Sequence, residues 1–336
     1  MKAVKRGPAP EPIFSALPGI EVPVGAISQG LATMWGETAA HGHAAPASED
    51  SKAIQVNFVL HLGLRTKPAD AVRQFDIAVK FSRRHPSRVV VLCPRPDDAG
   101  TKEMQAKVYG ECTIGRTKDD TRCCEFVMLN YRSSMRSNLE NQVSVCLSTD
   151  LPLYYWAHGF STSAGLADYH YLLTRSKRML LDSATAPGDA LTYPWPRPAA
   201  VRDLAYARLL PVRQSLGQFL SRYPMAALCA GLKTVTVAHG SAHPAEARVL
   251  LGWVKERMDQ CDKNRAVFVL ESRAQLAPET LVLDFSYPGK RKFSWRGDLK
   301  RGHAVFEADL GSGRTRLAAA TSLLPPENAL SEAMFF

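Results

Sequence analysis

The apolar residues of this chain fall into two rhythms that succeed each other over most of its length. Residues 54–62 read as a strand, and 69–84 as a helix burying Val72, Phe75, Ile77, Val79 and Phe81. Residues 89–93 are a continuous apolar run, the pattern of a strand covered on both faces. Strands are expected at 107–114, 123–130, 151–156 and 179–181, with helices at 139–147 and 166–174. Strands alternating with helices predict an α/β unit whose sheet is largely parallel and helix-covered.

The segment 185–200 holds four prolines and reads as a connection. Over 201–222, Leu204, Leu209, Val212, Leu216, Phe219 and Leu220 share one helical face, flanked by Arg208, Arg213 and Arg222. Pro211 lacks an N–H and should bend that helix or start a second one. The same grammar then returns. A strand at 232–238 precedes a helix at 244–261 with Ala247, Leu250, Leu251, Val254 and Met258 inward, followed by strands at 266–272, 280–287, 292–296 and 304–310. Two α/β-type domains are therefore expected, the second α+β in texture. Their bounds read as 53–165 and 166–325. A flexible segment 1–52 precedes them, with a short helix near 24–36 on Ile27, Leu31, Met34 and Trp35, and a loosely tied tail 326–336 follows.

A length of 336 residues accommodates two domains with substantial cores, and 46% hydrophobic with 22% charged residues is the balance of a soluble protein. The start, MKAVKRGPAPEP, has no apolar stretch behind its basic residues, and no run approaches the ~20 apolar residues a membrane span needs. A cytoplasmic protein without membrane contact is expected. The seven cysteines sit mostly in apolar stretches, which favours buried thiols in a reducing compartment over a redox switch. The net charge of +10 favours an anionic partner. Its densest patch, Lys290, Arg291, Lys292, Arg296, Lys300 and Arg301 interleaved with Phe293 and Trp295, reads as a nucleic-acid surface or as a hairpin whose aromatics face the core. No nucleic-acid motif accompanies it, which favours the hairpin.

Catalytic signatures are sparse. Neither G-x-x-x-x-G-K-[ST] nor a strand-following G-x-G-x-x-G occurs. His158-Gly159 after a strand, followed by Ser161, Thr162 and Ser163, is the best candidate ligand or anion pocket, since α/β sheets hold ligands at strand ends. Asp182 and Ser183 end the strand at 179–181 and could join it, which would make a sugar-phosphate or nucleotide-sugar enzyme. His239-Gly240-Ser241 with His243 repeats the arrangement, but neither that pair nor His41 with His43 has a third metal ligand nearby. No metal site is expected.

Several segments resemble the OpcA-type glucose-6-phosphate dehydrogenase assembly proteins, in order, over most of the chain. They are the helix ISQGLATMW ending in Trp35, His85-Pro86-Ser87-Arg88 before a strand, Asp150-Leu151-Pro152-Leu153-Tyr154-Tyr155-Trp156, Arg178-Met179-Leu180-Leu181-Asp182-Ser183, Asp203-Leu204-Ala205-Tyr206-Ala207-Arg208-Leu209-Leu210-Pro211-Val212-Arg213, and the helix around Leu250-Leu251-Gly252-Trp253. Tyr206, Val212 and Tyr155 stand where that family has tryptophans, and His158 where an Arg is common. The resemblance implies a non-catalytic, cofactor-free, cytoplasmic protein. It would bind glucose-6-phosphate dehydrogenase, promote its active assembly and so favour NADPH production in the pentose phosphate pathway. On that reading Arg208 and Arg213 are the expected polar contacts and Trp156 and Tyr206 the aromatic anchors. The competing reading packs Trp156 and Tyr206 internally and pairs the arginines with Asp182 or Asp203.

Overall fold

The computed structural model describes residues 12–41, 45, 54–97, 103–114, 121–260, 265–311 and 313–336. The chain forms two units, Met1–Arg202 with Ala333–Phe336, and Asp203–Glu332. The first contains α1 (Ile13–Ala16), β1 (Ile20–Val22), α2 (Ile27–Ala40), β2 (Val56–Leu62), α3 (Pro68–Ser82), β3 (Ser87–Arg95), β4 (Gln105–Ile114), β5 (Thr121–Arg132), α4 (Arg136–Cys146), β6 (Leu153–His158), α5 (Ser163–Ala167), α6 (His170–Arg175), β7 (Arg178–Leu181) and β8 (Val201–Asp203). Its sheet runs β1-β4-β5-β3-β2-β6-β7-β8. β5, β3, β2, β6 and β7 are mutually parallel, as the continuous apolar runs implied. The parallel part of the sheet begins at β2, steps out through β3 to β5, then returns to β2's other side with β6. The winding therefore reverses between β2 and β6.

Alternation of side chains sends each strand's residues to two cores. Phe58, Phe126 and Trp156 meet Phe75 and Phe81 of α3, while Val59, Val127 and Tyr155 meet α2, α4 and α6. β7 pairs in parallel with β6, so 166–202 completes this first sheet, and the expected boundary at 165/166 moves to 202/203. The N-terminal segment also departs from expectation, for α1 and β1 lie between residues 12 and 23. A buried lysine explains this. Lys107 Nζ donates to the carbonyls of Phe14 and Leu17 at 2.9 and 3.2 Å and lies 4.7 Å from the Phe14 ring, tying the segment to β4.

Trp35 is held by chemistry from two distant strands. Its indole N–H donates to Glu125 Oε1 at 2.8 Å, and Arg88 grips Glu125 Oε2 through Nε and Nη2 at 3.1 and 2.8 Å. The ring lies so close over Gly110 that a Cβ there would collide with it. Glu125 is 1% exposed, so its charge depends on Arg88.

The second unit contains α7 (Leu204–Arg208), α8 (Leu210–Leu220), α9 (Met225–Cys229), β9 (Thr234–His239), α10 (Pro244–Met258), β10 (Val267–Ser272), β11 (Thr280–Ser286), β12 (Lys292–Asp298), β13 (His303–Asp309), β14 (Arg314–Ala320) and most of α11 (Pro326–Phe335). Pro211 sits in the first turn of α8, where a missing N–H costs nothing, so the 201–222 segment becomes two helices. The sheet runs β10-β9-β11-β12-β13-β14, parallel only between β9 and β10. α8, α9 and α10 cover one face. Phe293 and Trp295 point into that core, and Arg291 donates to the carbonyls of Ala227 and Ala230 at 2.5 and 2.9 Å, so the basic patch is a hairpin with its aromatics inward.

Two further expectations fail. The tail is the helix α11, with Ala329, Leu330, Ala333 and Met334 buried and Phe335 packed on Phe81, His85 and Tyr154. The thiol reading holds for buried Cys93, Cys124 and Cys146, but Cys112 and Cys123, directly opposed across β4 and β5, are joined, and Cys229 is also disulfide-bonded.

Arg88→Ala should cost about 3–5 kcal/mol by removing the guanidinium that grips the buried Glu125 carboxylate. Glu125→Gln should cost clearly less, since an amide oxygen still accepts from Trp35. Denaturant unfolding with Trp fluorescence measures both, and equal costs would contradict the pairing.

Candidate functional site

The strand ends at the β2/β6 reversal are where an α/β sheet holds a ligand, and here they are filled by the chain itself. Gly63 N–H donates to the His158 carbonyl at 2.6 Å, and Arg65 N–H to the Gly159 carbonyl at 3.3 Å. A Cβ on Gly63 would collide with the Gly159 backbone. Gly159 has φ +72°, and a Cβ there would strike the Thr66 hydroxyl. The two loops are thus stitched backbone to backbone where a phosphate would need room. The N-terminus of α3 is occupied too, since Asp70 sits in its first turn and accepts from His158 Nε2 at 2.6 Å. Burial opposes the Asp70 charge, but hydrogen bonds from His158, Arg73 and Gln74 outweigh it and hold the carboxyl down to about 2.

The other pocket candidates face elsewhere. Ser161 is exposed. Asp182 Oδ1 accepts from Ala184 N–H at 3.0 Å, and its carbonyl accepts from Thr185 and Ala186, which closes the turn after β7; half-buried Ser183 lies inside that turn. His158, Ser161, Asp182 and Ser183 share one end of the sheet, but His158 and Asp182 spend these hydrogen bonds on different elements. In the second unit His239 Nδ1 bonds the Gly240 carbonyl at 2.7 Å, and no metal-binding group of three His, Cys, Asp or Glu occurs among the described residues. His41 Nδ1 bonds the Glu37 carbonyl at 2.7 Å, and His43 lies outside the described residues.

A fully buried histidine that the motifs did not point to lies just before the stitch. His61 bonds Tyr155 Oη at 2.6 Å and Tyr131 Oη at 2.7 Å, and Tyr131 continues to Tyr169 Oη at 2.8 Å. Burial pushes its pKa down to about 3, so it is neutral, giving a proton at one nitrogen and accepting one at the other. The available signal was a histidine inside a largely apolar strand, VNFVLHL, which also carries Asn57.

Of the expected contact residues, Trp156 is core, 3% exposed and stacked on Phe58. Arg208 points inward, its Nε donating to Glu246 Oε1 at 2.6 Å. Glu246 lies 3.6 Å from His243 Nδ1, whose Nε2 bonds Glu279 at 2.6 Å, which makes one chain of alternating charge. Burial opposes the Glu246 carboxylate, yet His243 and Arg208 hold it near 2, while its hydrogen bond to Glu246 raises His243. Asp203 caps α7 through Ala205 N–H at 2.9 Å. Tyr206 and Arg213 remain at the surface. Tyr206 is 37% exposed, and the Arg213 guanidinium stacks 3.7 Å from its ring centroid.

Residues 78–193 match a family model described as the glucose-6-phosphate dehydrogenase subunit N-terminal domain of the OpcA assembly family. That stretch of the chain is similar to the OpcA-type domain. A relative from Nostoc punctiforme (strain ATCC 29133 / PCC 73102), a putative OxPP cycle protein OpcA, is 24% identical over 191 residues, and the alignment covers 54% of this chain and 40% of that protein. The OpcA-family match spans Arg88, Glu125, Tyr131 and His158, whereas Tyr206, Arg208 and Arg213 lie beyond it. No helix among the described residues is long and apolar enough to cross a membrane.

Because His61 titrates near 6.5 when unfolded and near 3 when folded, it costs stability progressively as pH falls between those values. His61→Phe should flatten the fall of Tm with acid in that window, and an unchanged slope would contradict a neutral buried histidine. His243 acts with the opposite sign. Its raised pKa stabilises fully below 6.5 and the contribution fades as pH rises through the folded value. His243→Gln should therefore lose more stability at pH 6 than at pH 9, measured by thermal melts.

Proposed function

We propose that the protein is a non-catalytic partner of glucose-6-phosphate dehydrogenase. In the cytoplasm it binds the enzyme and shifts it to its oligomeric, active state, which raises NADPH production by the oxidative pentose phosphate branch. The observation that carries this reading is the match of residues 78–193 to a domain described as part of a glucose-6-phosphate dehydrogenase subunit. The filled strand ends support it, because a chain that occupies its own phosphate position with Asp70 and the Gly63–Gly159 contact is poorly suited to bind a sugar phosphate near His158, Ser161 and Asp182.

An activator must bind the active enzyme more tightly than the inactive one, since equal affinity for both shifts nothing. Tyr206 and Arg213 are the contacts we assign. The Arg213 guanidinium is partly desolvated, its Nε has no hydrogen-bond partner among the described residues, and it backs an exposed aromatic ring. Arginine and tyrosine in that arrangement suit an interface centre that receives an acidic side chain.

Adding the purified chain to the cognate dehydrogenase should raise its specific activity and its mass by light scattering, with no turnover by the chain alone. Tyr206→Ala and Arg213→Ala should each weaken the effect about tenfold or more. No change in activity or mass at saturation would overturn the reading.

A further inference from the structure

The end of the first sheet opposite the stitched loops holds a cleft of different chemistry. It lies where α4 gives way to the loop entering β6 and where α6 passes into β7, and its volume is about 200 Å³. Arg175 and Lys177 line it, with the hydroxyl side chains of Ser144 and Ser148 and the buried amide of Asn57, and no carboxylate is among its described lining residues. The nearest acid in sequence, Asp150, accepts from the Thr149 hydroxyl at 3.4 Å.

Asn57 and Arg175 are held in place by the chain's own contacts. Asn57 Nδ2 donates to the Ser148 and Leu151 carbonyls at 2.6 and 3.1 Å, while its Oδ1 accepts from Ser148 N–H at 3.0 Å, so one side chain 2% exposed sets the whole loop. Arg175 stacks 5.2 Å from the Tyr171 ring centroid and donates to its phenolic oxygen, and that hydroxyl bonds Ser144. A guanidinium only donates, so the Tyr171 oxygen accepts there and its own proton is available to Ser144 Oγ. The Ser144 proton is then left as a donor. Two cations beside the Ser144 hydroxyl, on a loop held by Asn57, suit an oxyanion.

We infer that this cleft binds a small phosphate monoester. A tetrahedral dianion offers separate oxygens to Arg175, Lys177 and the hydroxyls, and the net charge of +10 favours its approach. The volume admits a phosphate on a short carbon chain but not a nucleotide, since pockets for larger ligands begin at roughly 300 Å³. The site lies at the N-terminal ends of β2 and β6, away from the strand ends that α/β enzymes use for catalysis, which makes it an effector site.

Titration calorimetry at low ionic strength with glycerol 3-phosphate, glycerol and malate tests this. Glycerol 3-phosphate should bind saturably, glycerol should give no heat, and malate should bind more weakly. Arg175→Gln and Lys177→Gln should each weaken binding about tenfold. Both residues are exposed, so the melting temperature of the free variants should match that of the unsubstituted chain. No saturable binding at millimolar phosphate ester, a preference for malate, or affinity unmoved by either substitution would overturn the inference. None of these outcomes bears on the dehydrogenase reading, which uses neither residue.

Discussion

Direct contact between two glycine-bearing loops, at Gly63 and Gly159, decides what the first unit can be. A sheet whose winding reverses between adjacent parallel strands ordinarily opens a crevice at their carboxyl ends, and nucleotide enzymes place their phosphates there. In this chain the crevice is closed by main-chain hydrogen bonds at 2.6 and 3.3 Å, and neither position tolerates a Cβ. The positive end of α3, which would otherwise attract a ligand's charge, is neutralised from within by Asp70, itself held by His158. The strand ends that an α/β enzyme leaves open are here joined by the chain's own backbone.

The residues that carry the resemblance behave in the same way. Trp35, Arg88 and Glu125 form one buried polar knot, and His85 of the same His-Pro-Ser-Arg run packs against Phe335. In the second unit Arg208 of the DLAYAR segment meets Glu246, which begins the helix carrying the other family-like stretch. Such groups are expensive to bury and cannot be exchanged singly, because removing one partner strands the other's charge. They therefore have a structural role that needs no contact to a partner. Tyr206 and Arg213 differ, since one is exposed and the other lacks a full set of partners.

Much of this fold was legible because periodicity reports burial. The apolar runs at β2 and β3 announced a parallel sheet, and Pro211 announced either a bend or the second helix start that the structure shows. What escaped depends on pairs distant in sequence. Nothing near residue 14 reveals that Lys107 will hold it, so α1 and β1 were read as loose. α11 was partly legible, with Pro326 in its first turn and Leu330 and Met334 one turn apart, but a chain end invites an unstructured reading. β14, Arg-Thr-Arg-Leu-Ala-Ala-Ala, has no clean alternation because both its faces are largely exposed at the sheet edge. At the site, His158 was correctly placed at a strand end. Its partner Asp70 could not be found, since 88 residues separate them.

The central claim is that this chain acts through its surface and not through its strand ends. Hydrogen exchange of the chain, alone and with glucose-6-phosphate dehydrogenase, tests it most directly. The account expects the amides of Gly63, Arg65 and Thr66 to exchange slowly in the free chain and to stay unchanged in the complex, with new protection around Tyr206 and Arg213. Fast exchange at Gly63–Thr66 that slows on adding a sugar phosphate or nucleotide, with no protection around Tyr206, would contradict it.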